Sequence, residues 1–339
     1  MTGREPIRDQ LNRPLRDLRI SVTDRCNFRC PYCMPAEIFG ESYKFLNKDL
    51  ILSFEEITRL ARIIIRLGAV KLRLTGGEPL VRQNIEELVR QLAQLEGAED
   101  MALTTNGVRL PLLASKLKQA GLRRVTVSLD SMDNDVFRRM NGNKADVADV
   151  LAGIAAAEAA GFAPIKINAV VQRGANDHTI VDLARYCKDR GLILRFIEYM
   201  DVGNRNGWTM DQVVPAREIV ERIDAVMPLE ALPRSYSSET ALRYRYRDGG
   251  GEIGLIASVT MPFCGDCSRT RLSPEGMLYT CLFATQGTDL KTPMRAGASD
   301  DDLEAIIRGS WEARTDRYSE IRTRLTDSFH KIEMYYIGG

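Results

Sequence analysis

Residues 18–35, LRISVTDRCNFRCPYCMP, join a β-branched run to a loop with three cysteines in the pattern Cys-x3-Cys-x2-Cys. Cys26, Cys30 and Cys33 therefore lie on one tight loop directly after a predicted strand. Three thiolates in this arrangement can hold an iron–sulfur cluster through three of its four irons, which leaves the fourth iron without a protein ligand. Because an open coordination position is typical of catalytic rather than structural metal sites, the loop predicts chemistry at a strand end.

Outward from this loop, short β-branched runs alternate with amphipathic stretches. The predicted strands are 18–23, 71–75, 101–105, 123–129, 165–171 and 192–200. The predicted helices are 53–67, 83–95, 112–120, a short one near Asp133, 146–160 and 177–190. Ser53 and Glu56 form a capping-box pair at the start of the first helix. Strands that alternate with helices predict a parallel sheet, so we expect an α/β fold, a partial TIM-like β6α6 barrel short of the usual eight units.

Four polar motifs, TDRC, TGGEP, TTNG and SLDS, each follow the carboxyl end of a predicted strand. This is the edge at which parallel sheets gather their active sites. In the second motif, Gly76 and Gly77 allow the backbone to approach a ligand closely, although an ordinary strand-to-helix turn is the alternative. Its place beside the cysteine loop favours ligand binding.

The alternation ends after Met200. Residues 215–226 are predicted as a helix, and 243–261 as antiparallel strands around a glycine-rich turn. We therefore divide the chain into residues 1–200, the partial barrel, and 201–339, a C-terminal extension.

Composition excludes several classes of protein. With 47 basic and 46 acidic residues, the chain has no bulk charge that favours nucleic acid or a membrane surface. The N-terminus lacks an apolar segment typical of a signal peptide, and no stretch approaches the length of a membrane span. Six of the seven cysteines fall into two triads, unlike a disulfide framework, so we expect a reducing, cytoplasmic location.

The second triad is Cys264, Cys267 and Cys281, within FCGDCSRTRLSPEGMLYTCLF. Three cysteines without a fourth again predict a cluster with an open iron, while zinc with His330 as fourth ligand is the alternative. For the first triad, zinc is disfavoured because the chain has only two histidines and neither is near it in sequence. Arg269 and Arg271 directly follow the second triad's first pair, and guanidinium groups suit phosphate.

Four basic residues lie inside predicted strands: Arg19, Arg73, Lys166 and Arg195. Alternation sends Arg73 and Lys166 to the opposite face from their apolar neighbours. In a barrel that face is the lumen, where converging cations would bind a polyanion. An outer or edge position is the alternative for each residue taken alone.

The cysteine loop and the GGEP loop together resemble the radical S-adenosylmethionine (SAM) superfamily. The resemblance implies that the first triad holds a [4Fe–4S] cluster whose open iron binds SAM, and that the GGEP loop binds the methionyl end. Reductive cleavage of SAM then yields a 5'-deoxyadenosyl radical that abstracts a substrate hydrogen.

A closer resemblance covers nearly the whole chain. The motifs above, with RFIEYMDVGNRNGW, the segment CGDCSRTRL and the terminal Gly-Gly, are similar to the GTP 3',8-cyclase family of molybdenum-cofactor biosynthesis. This resemblance implies a lyase that converts GTP to 3',8-cyclo-7,8-dihydro-GTP after the radical abstracts the C3' hydrogen. It implies a second [4Fe–4S] cluster that binds the guanine ring.

The resemblance also assigns residues to these ligands. Four match SAM contacts: Tyr32, Gly77, Ser128 and Met200. Eight match GTP contacts: Arg19, Arg73, Thr104, Lys166, Arg195, Arg269, Thr270 and Arg271. Gly338 and Gly339 match a tail that reaches into the active site. Residues 10–13, QLNR, depart from the family's usual Phe-Gly-Arg, whereas Cys187, His178 and His330 match no motif.

The implied partners are GTP, a reductase or flavodoxin-type electron donor and a downstream cyclic pyranopterin synthase, with a homodimer as one assembly. A peptide-maturing radical SAM enzyme is one alternative, although such enzymes usually carry more C-terminal cysteines. A non-catalytic iron–sulfur electron carrier is the other alternative, and SAM turnover would exclude it.

Overall fold

The computed structural model describes residues 5–322 and 330–338. Six strands from the first part of the chain pair in parallel, each with the next in chain order. They are β1 (Asp17–Ser21), β2 (Lys71–Thr75), β3 (Asp100–Thr105), β4 (Arg124–Ser128), β5 (Lys166–Val171) and β6 (Ile193–Glu198). The predicted α/β fold with six parallel strands is thereby confirmed.

The C-terminal part of the chain extends this sheet at both edges. Its strands are β7 (Leu229–Leu232), β8 (Leu242–Tyr246), β9 (Glu252–Ile256), β10 (Arg269–Leu272), β11 (Met277–Tyr279) and β12 (Thr288–Asp289). The strand order is β12-β11-β10-β1-β2-β3-β4-β5-β6-β9-β8-β7. The predicted antiparallel pair is confirmed as β8 and β9. The sequence did not predict that β10 would pair in parallel with β1, a contact that brings the second cysteine triad beside the first strand.

Helices follow the strands of the parallel sheet. Those of the first part are α1 (Phe54–Arg66), α2 (Ile85–Ala93), α3 (Leu110–Gln119), α4 (Asn134–Met140), α5 (Val147–Ala159) and α6 (Ile180–Asp189). The later ones are α7 (Ala216–Asp224), α8 (Lys291–Arg295), α9 (Asp300–Glu312), α10 (Tyr318–Ile321) and α11 (Met334–Ile337). Each predicted helix is present within a few residues of its expected bounds. The capping box is also confirmed, because the Ser53 hydroxyl accepts from the Glu56 amide and the Glu56 carboxylate accepts from the Ser53 amide.

Strand alternation separates an apolar core from a charged lumen. In β1, Leu18 and Ile20 are fully buried in the same apolar cluster as Leu60 of α1. Arg19, between them, points to the opposite face. The parallel register places Arg19 opposite Arg73 of β2, so both guanidinium groups belong to that inner face.

Within residues 5–322 and 330–338, no helix combines the length and apolar character needed to cross a bilayer.

Candidate active site

Both cysteine triads line one cavity at the carboxyl ends of the parallel strands. This main cavity encloses about 1900 Å³, including its open mouth. Sixteen of the residues predicted from sequence line it: Arg19, Cys26, Cys30, Tyr32, Cys33, Arg73, Gly77, Thr104, Ser128, Arg195, Met200, Cys264, Cys267, Arg269, Arg271 and Cys281. Two triads separated by more than 200 residues in the chain therefore face the same space.

The first triad lies on a loop that is held in a tight turn by hydrogen bonds of its own backbone. The Cys30 carbonyl accepts from the amides of Cys33 (2.9 Å) and Met34 (2.7 Å). Arg29 ties this loop down by donating to the carbonyls of Phe39 (2.6 Å) and Cys26 (2.8 Å). Burial raises the pKa of the Cys26 thiol to about 12, so a bound metal must displace a proton to gain a thiolate ligand.

The GGEP loop packs directly against the start of the cysteine loop. The Gly77 amide donates to the Thr23 carbonyl at 2.8 Å, and a Cβ on Gly77 would meet the Arg25 carbonyl closer than 3.0 Å. Glycine is therefore required here by backbone packing, whether or not a ligand also approaches. Glu78 is buried and accepts from the Thr105 hydroxyl at 2.7 Å, and burial raises the pKa of Glu78 to about 7.

Tyr32 links the cysteine loop to the end of β4. Its hydroxyl donates to the Asp130 carboxylate at 2.9 Å, and the other Asp130 oxygen accepts from the Val170 amide at 2.9 Å. Burial raises the pKa of Asp130 to about 6 despite these hydrogen bonds. The sequence did not single out Asp130 as a site residue, although it lies in the SLDS motif.

The lumen holds the predicted basic residues. Arg73 donates to Thr104 (3.0 Å) and to Thr126 (3.4 Å). Burial, followed by repulsion from Arg195, lowers the pKa of Arg73 to about 10. Burial, followed by repulsion from Arg271, likewise holds the pKa of Arg19 well below its usual value. A bound polyanion would relieve the repulsion among these cations.

Lys166 lies at the other end of the lumen. It lines a second, basal cavity of about 1270 Å³, including its open mouth, at the amino ends of the strands, with Lys71, Asp100 and Arg124. Four arginines line both cavities and so form the wall between them: Arg19, Arg73, Arg195 and Arg269. Burial and then repulsion from Arg195 lower the pKa of Lys166 to about 8.

Besides Lys166, three predicted residues are not among those that line the main cavity. Thr270 is buried on the other face of β10, where its hydroxyl donates to the Tyr279 carbonyl at 3.1 Å. Gly338 contacts the site through its carbonyl, which accepts a hydrogen bond from Arg271. Gly339 lies outside the described residues.

The second triad differs from the first in its charge surroundings. Arg269 donates to the Cys267 sulfur at 3.4 Å. Burial acts to raise the pKa of Cys267, but Arg269 and Arg314 outweigh it and lower that pKa to about 6. Cys281 resembles the first triad, because burial raises its pKa to about 12. A thiolate is therefore stabilised by fixed cations at one position of this triad.

The tail that precedes Gly339 packs against Phe39 and Tyr43, which follow the cysteine loop in the chain. The ring of Tyr335 meets Phe39 edge-on at a centroid distance of 4.9 Å, and its hydroxyl lies 2.8 Å from that of Tyr43. Local sequence patterns did not predict this aromatic contact, since Tyr43 and Tyr335 lie 292 positions apart.

The two cysteine triads fit multi-iron clusters better than single metal ions. Among residues 5–322 and 330–338, no three His, Cys, Asp or Glu side chains converge closely enough to hold one metal ion. A four-iron cluster binds each cysteine through a different iron, so its ligands surround a larger volume. Each triad places three cysteines around the shared cavity, as a four-iron cluster requires.

A parallel α/β partial barrel with a Cys-x3-Cys-x2-Cys loop at its carboxyl edge defines the class of radical SAM enzymes. Residues 20–187 match the radical SAM superfamily, and residues 192–320 match the family described as Molybdenum Cofactor Synthesis C. The fold is similar to that of Streptococcus suis SuiB bound to S-adenosylmethionine, with a TM-score of 0.60 at 15% identity, over 87% of this chain and 68% of that one.

Full-length relatives define the family more narrowly. The chain is 52% identical to the GTP 3',8-cyclase of Acidothermus cellulolyticus, over 99% of each chain. It is 49% identical to the GTP 3',8-cyclase of Xanthomonas axonopodis pv. citri, over 98% of this chain and 99% of the relative. The chain belongs to the GTP 3',8-cyclase family.

Proposed function

We propose that this chain converts GTP to 3',8-cyclo-7,8-dihydro-GTP, an early step of molybdenum-cofactor biosynthesis. Family membership supports the reaction, and one observation of the structure carries it. Both cysteine triads line a single cavity whose inner wall includes four half-buried arginines and the buried Arg271. Such a cavity can hold a radical source, a purine and a polyphosphate at once, which brings reacting groups together in a fixed orientation.

The cofactors are two [4Fe–4S] clusters and SAM. Cys26, Cys30 and Cys33 would hold the first cluster, while Cys264, Cys267 and Cys281 would hold the second, as the donor sets favour. When bound, the first cluster supplies the electron that cleaves SAM to the 5'-deoxyadenosyl radical. We propose that Tyr32, Gly77, Ser128 and Met200 orient SAM, since all four line the same cavity as the first triad.

We propose that the lumen binds the triphosphate of GTP. The side chains assigned to this role are Arg19, Arg73, Thr104, Lys166, Arg195, Arg269 and Arg271. Thr270 would act only through its place in the backbone between Arg269 and Arg271, since its hydroxyl lies on the other face of β10. Support comes from the buried positive charge and from the matched register of Arg19, Arg73 and Arg271 on neighbouring strands. The purine would then lie beside the second triad, where C3' of the ribose and C8 of the base can be held in proximity.

We further propose roles for the tail, the partners and the two parts of the chain. Gly338 and Gly339 would complete the site, supported by the hydrogen bond from Arg271 to the Gly338 carbonyl. Residues 1–200 would generate the radical, and residues 201–339 would supply the second cluster. A reductase or flavodoxin-type donor, a downstream cyclic pyranopterin synthase, a homodimer and a cytoplasmic location stay predictions, the last supported by seven free cysteines.

The test is anaerobic reconstitution of the full chain. We expect about eight irons per chain, from two four-iron clusters. Incubation with GTP, SAM and a reductant should then yield 5'-deoxyadenosine and a cyclised nucleotide of the same mass as GTP. About four irons with one zinc would contradict the second cluster, and 5'-deoxyadenosine without any GTP-derived product would contradict the cyclase function.

Lys166→Ala should weaken GTP binding about ten- to a hundredfold at neutral pH, since a hydrogen bond to a charged group contributes about 1.5–3 kcal/mol. Calorimetric titration of GTP measures this directly. Lys116→Ala, which removes an exposed lysine on α3, is the matched control and should bind GTP normally. Equal affinity for Lys166→Ala and the unmodified chain would remove Lys166 from the triphosphate site.

The same lysine should make GTP affinity depend on pH. Burial and the arginines Arg195, Arg124 and Arg73 lower its pKa to about 8 in the free protein. The protonated form binds the polyanion, so affinity should be full below that pKa and fall as pH rises through it. In Lys166→Arg this loss should disappear between pH 7 and about pH 9, because a guanidinium stays charged there. A loss of equal size in both proteins would refute this assignment.

A further inference from the structure

Two arginines lie buried behind the second cysteine triad, and no role in the reaction has been assigned to either. The side chains of Arg13 and Arg314 are each 1% exposed, and that of Asp9 between them is fully buried. Arginine is almost never fully buried unless it is paired, and burying such a charge is costly. They come from opposite ends of the chain, so the sequence alone does not associate them.

Each arginine holds the backbone of one cysteine. Arg13 donates to the Cys264 carbonyl at 2.8 Å, and Arg314 donates to the Cys267 carbonyl at 2.7 Å. Asp9 fixes both guanidinium groups, with ion pairs of 2.6 Å to Arg13 and 3.4 Å to Arg314. The orientation of two cysteines therefore depends on one buried carboxylate and its two partners.

The third cysteine is connected to the same network. Arg314 pairs with the Asp316 carboxylate at 3.3 Å, and that carboxylate accepts from the Thr280 hydroxyl at 2.5 Å. Thr280 directly precedes Cys281. Arg314 thus holds the Cys267 carbonyl directly and is linked through Asp316 to the residue before Cys281, while Arg13 holds the Cys264 carbonyl.

Arg314 also differs from Arg13 in its access to the site. Arg314 lines the main cavity together with all three cysteines of the second triad, whereas Arg13 does not line it. The Nη2 atom of Arg13 is buried without a hydrogen-bond partner within the described ranges, and its other donors hold the Cys264 and Asp316 carbonyls and Asp9. Arg13 therefore supports the network from behind, and Arg314 presents a fixed positive charge toward the thiolates.

We propose that Arg314, anchored by Asp9 and Arg13, is a positioning residue that orients the second triad and offsets the negative charge of its thiolates. Cluster retention at that site, and hence placement of the purine, depends on it. This inference rests on the proposed function, since it assumes that the second triad holds a cluster. Hydrogen-bonded partners of metal ligands typically change metal affinity 10- to 100-fold when they are removed.

The experiment isolates the second site. In a full-length background with Cys26, Cys30 and Cys33 all changed to Ala, reconstitution should leave about four irons. Arg314→Gln and Arg13→Gln in that background should lose iron to a chelator about 10- to 100-fold faster, and the electron paramagnetic resonance spectrum of the reduced cluster should change. Arg308→Gln is the matched control, because the Arg308 side chain on α9 is 43% exposed and pairs only with Glu304 and Glu312 within the described residues.

Parent-like iron retention together with an unchanged spectrum in Arg314→Gln would overturn the proposal. With all six cluster cysteines present, Arg314→Gln should still cleave SAM, which reports correct folding of the barrel. Should Arg314→Gln fail to fold, Arg314→Lys tests the positioning role alone, because it keeps the charge but not the planar fork. Faster iron loss in Arg314→Lys supports positioning, and parent-like retention overturns it. Formation of cyclised product by the unmodified chain tests the proposed function separately.

Discussion

Cys281→Ser should abolish the cyclised product while SAM cleavage continues. The first triad lies on a separate loop after β1, so its cluster and the SAM beside it should be retained. The second site would lose one of three ligands, and a serine hydroxyl is a poor substitute for a thiolate at iron. We expect cyclisation to fall at least about a hundredfold, because the second cluster would no longer bind the purine. The reacting atoms would then no longer be held close together.

Separate measurement of 5'-deoxyadenosine and cyclised nucleotide distinguishes this outcome from general damage. Cys187→Ser is the matched control: Cys187 is buried on α6, lines neither cavity and should keep both products near the level of the unmodified chain. Cys30→Ser should instead remove both products, because it acts on the radical source. Intact cyclisation in Cys281→Ser would refute a substrate role for the second triad.

Gly338→Ala should reduce cyclisation about a hundredfold, the scale of loss that a misplacement of about 1 Å causes in an active site. Gly338 has φ +73°, and a Cβ there would meet the Thr75 side chain closer than 3.0 Å. Thr75 ends β2 beside the GGEP loop and lines the main cavity, so the tail or the Thr75 side chain must shift to relieve the clash. Arg271 would then lose the carbonyl it now holds.

Gly174→Ala controls for backbone strain. Gly174 has φ +76°, nearly the same as Gly338, but a Cβ there meets nothing within 4 Å. Both substitutions place a Cβ at a positive φ, and only Gly338→Ala adds a clash in the active site. Equal product yields from the two variants would show that the placement of the tail does not limit the reaction. Iron content should stay at the parent value in both.

Much of the site followed from local patterns. The spacing of Cys26, Cys30 and Cys33 limits them to one loop, whatever the rest of the fold. The position of Arg19 between Leu18 and Ile20 assigns it to the inner face, because side chains alternate along a strand. The carboxyl-edge motifs likewise had to converge once the strands were parallel.

Other features needed the folded chain. Lys166 matches the same sequence criterion as Arg73, yet it lines only the basal cavity. The structure also shows that close packing against the Arg25 carbonyl requires glycine at position 77, which no local sequence pattern indicates. The SLDS motif was expected at the active-site edge, but only the structure shows that the Asp130 carboxylate accepts a hydrogen bond from the Tyr32 hydroxyl.

The sequence by itself determined the fold class, the two cysteine triads and the sign of the charge in the lumen, because each depends on spacing over a few residues. Only the tertiary structure decided that the two triads share one cavity and that Arg13 and Arg314 both pair with Asp9 beside the second. Those contacts join residues about 300 positions apart through the pairing of β10 with β1 and the packing of the N-terminal segment. Hydrogen bonds and ion pairs over such separations leave no periodic signal in a chain, since any buried donor can be satisfied by any acceptor that the fold brings near.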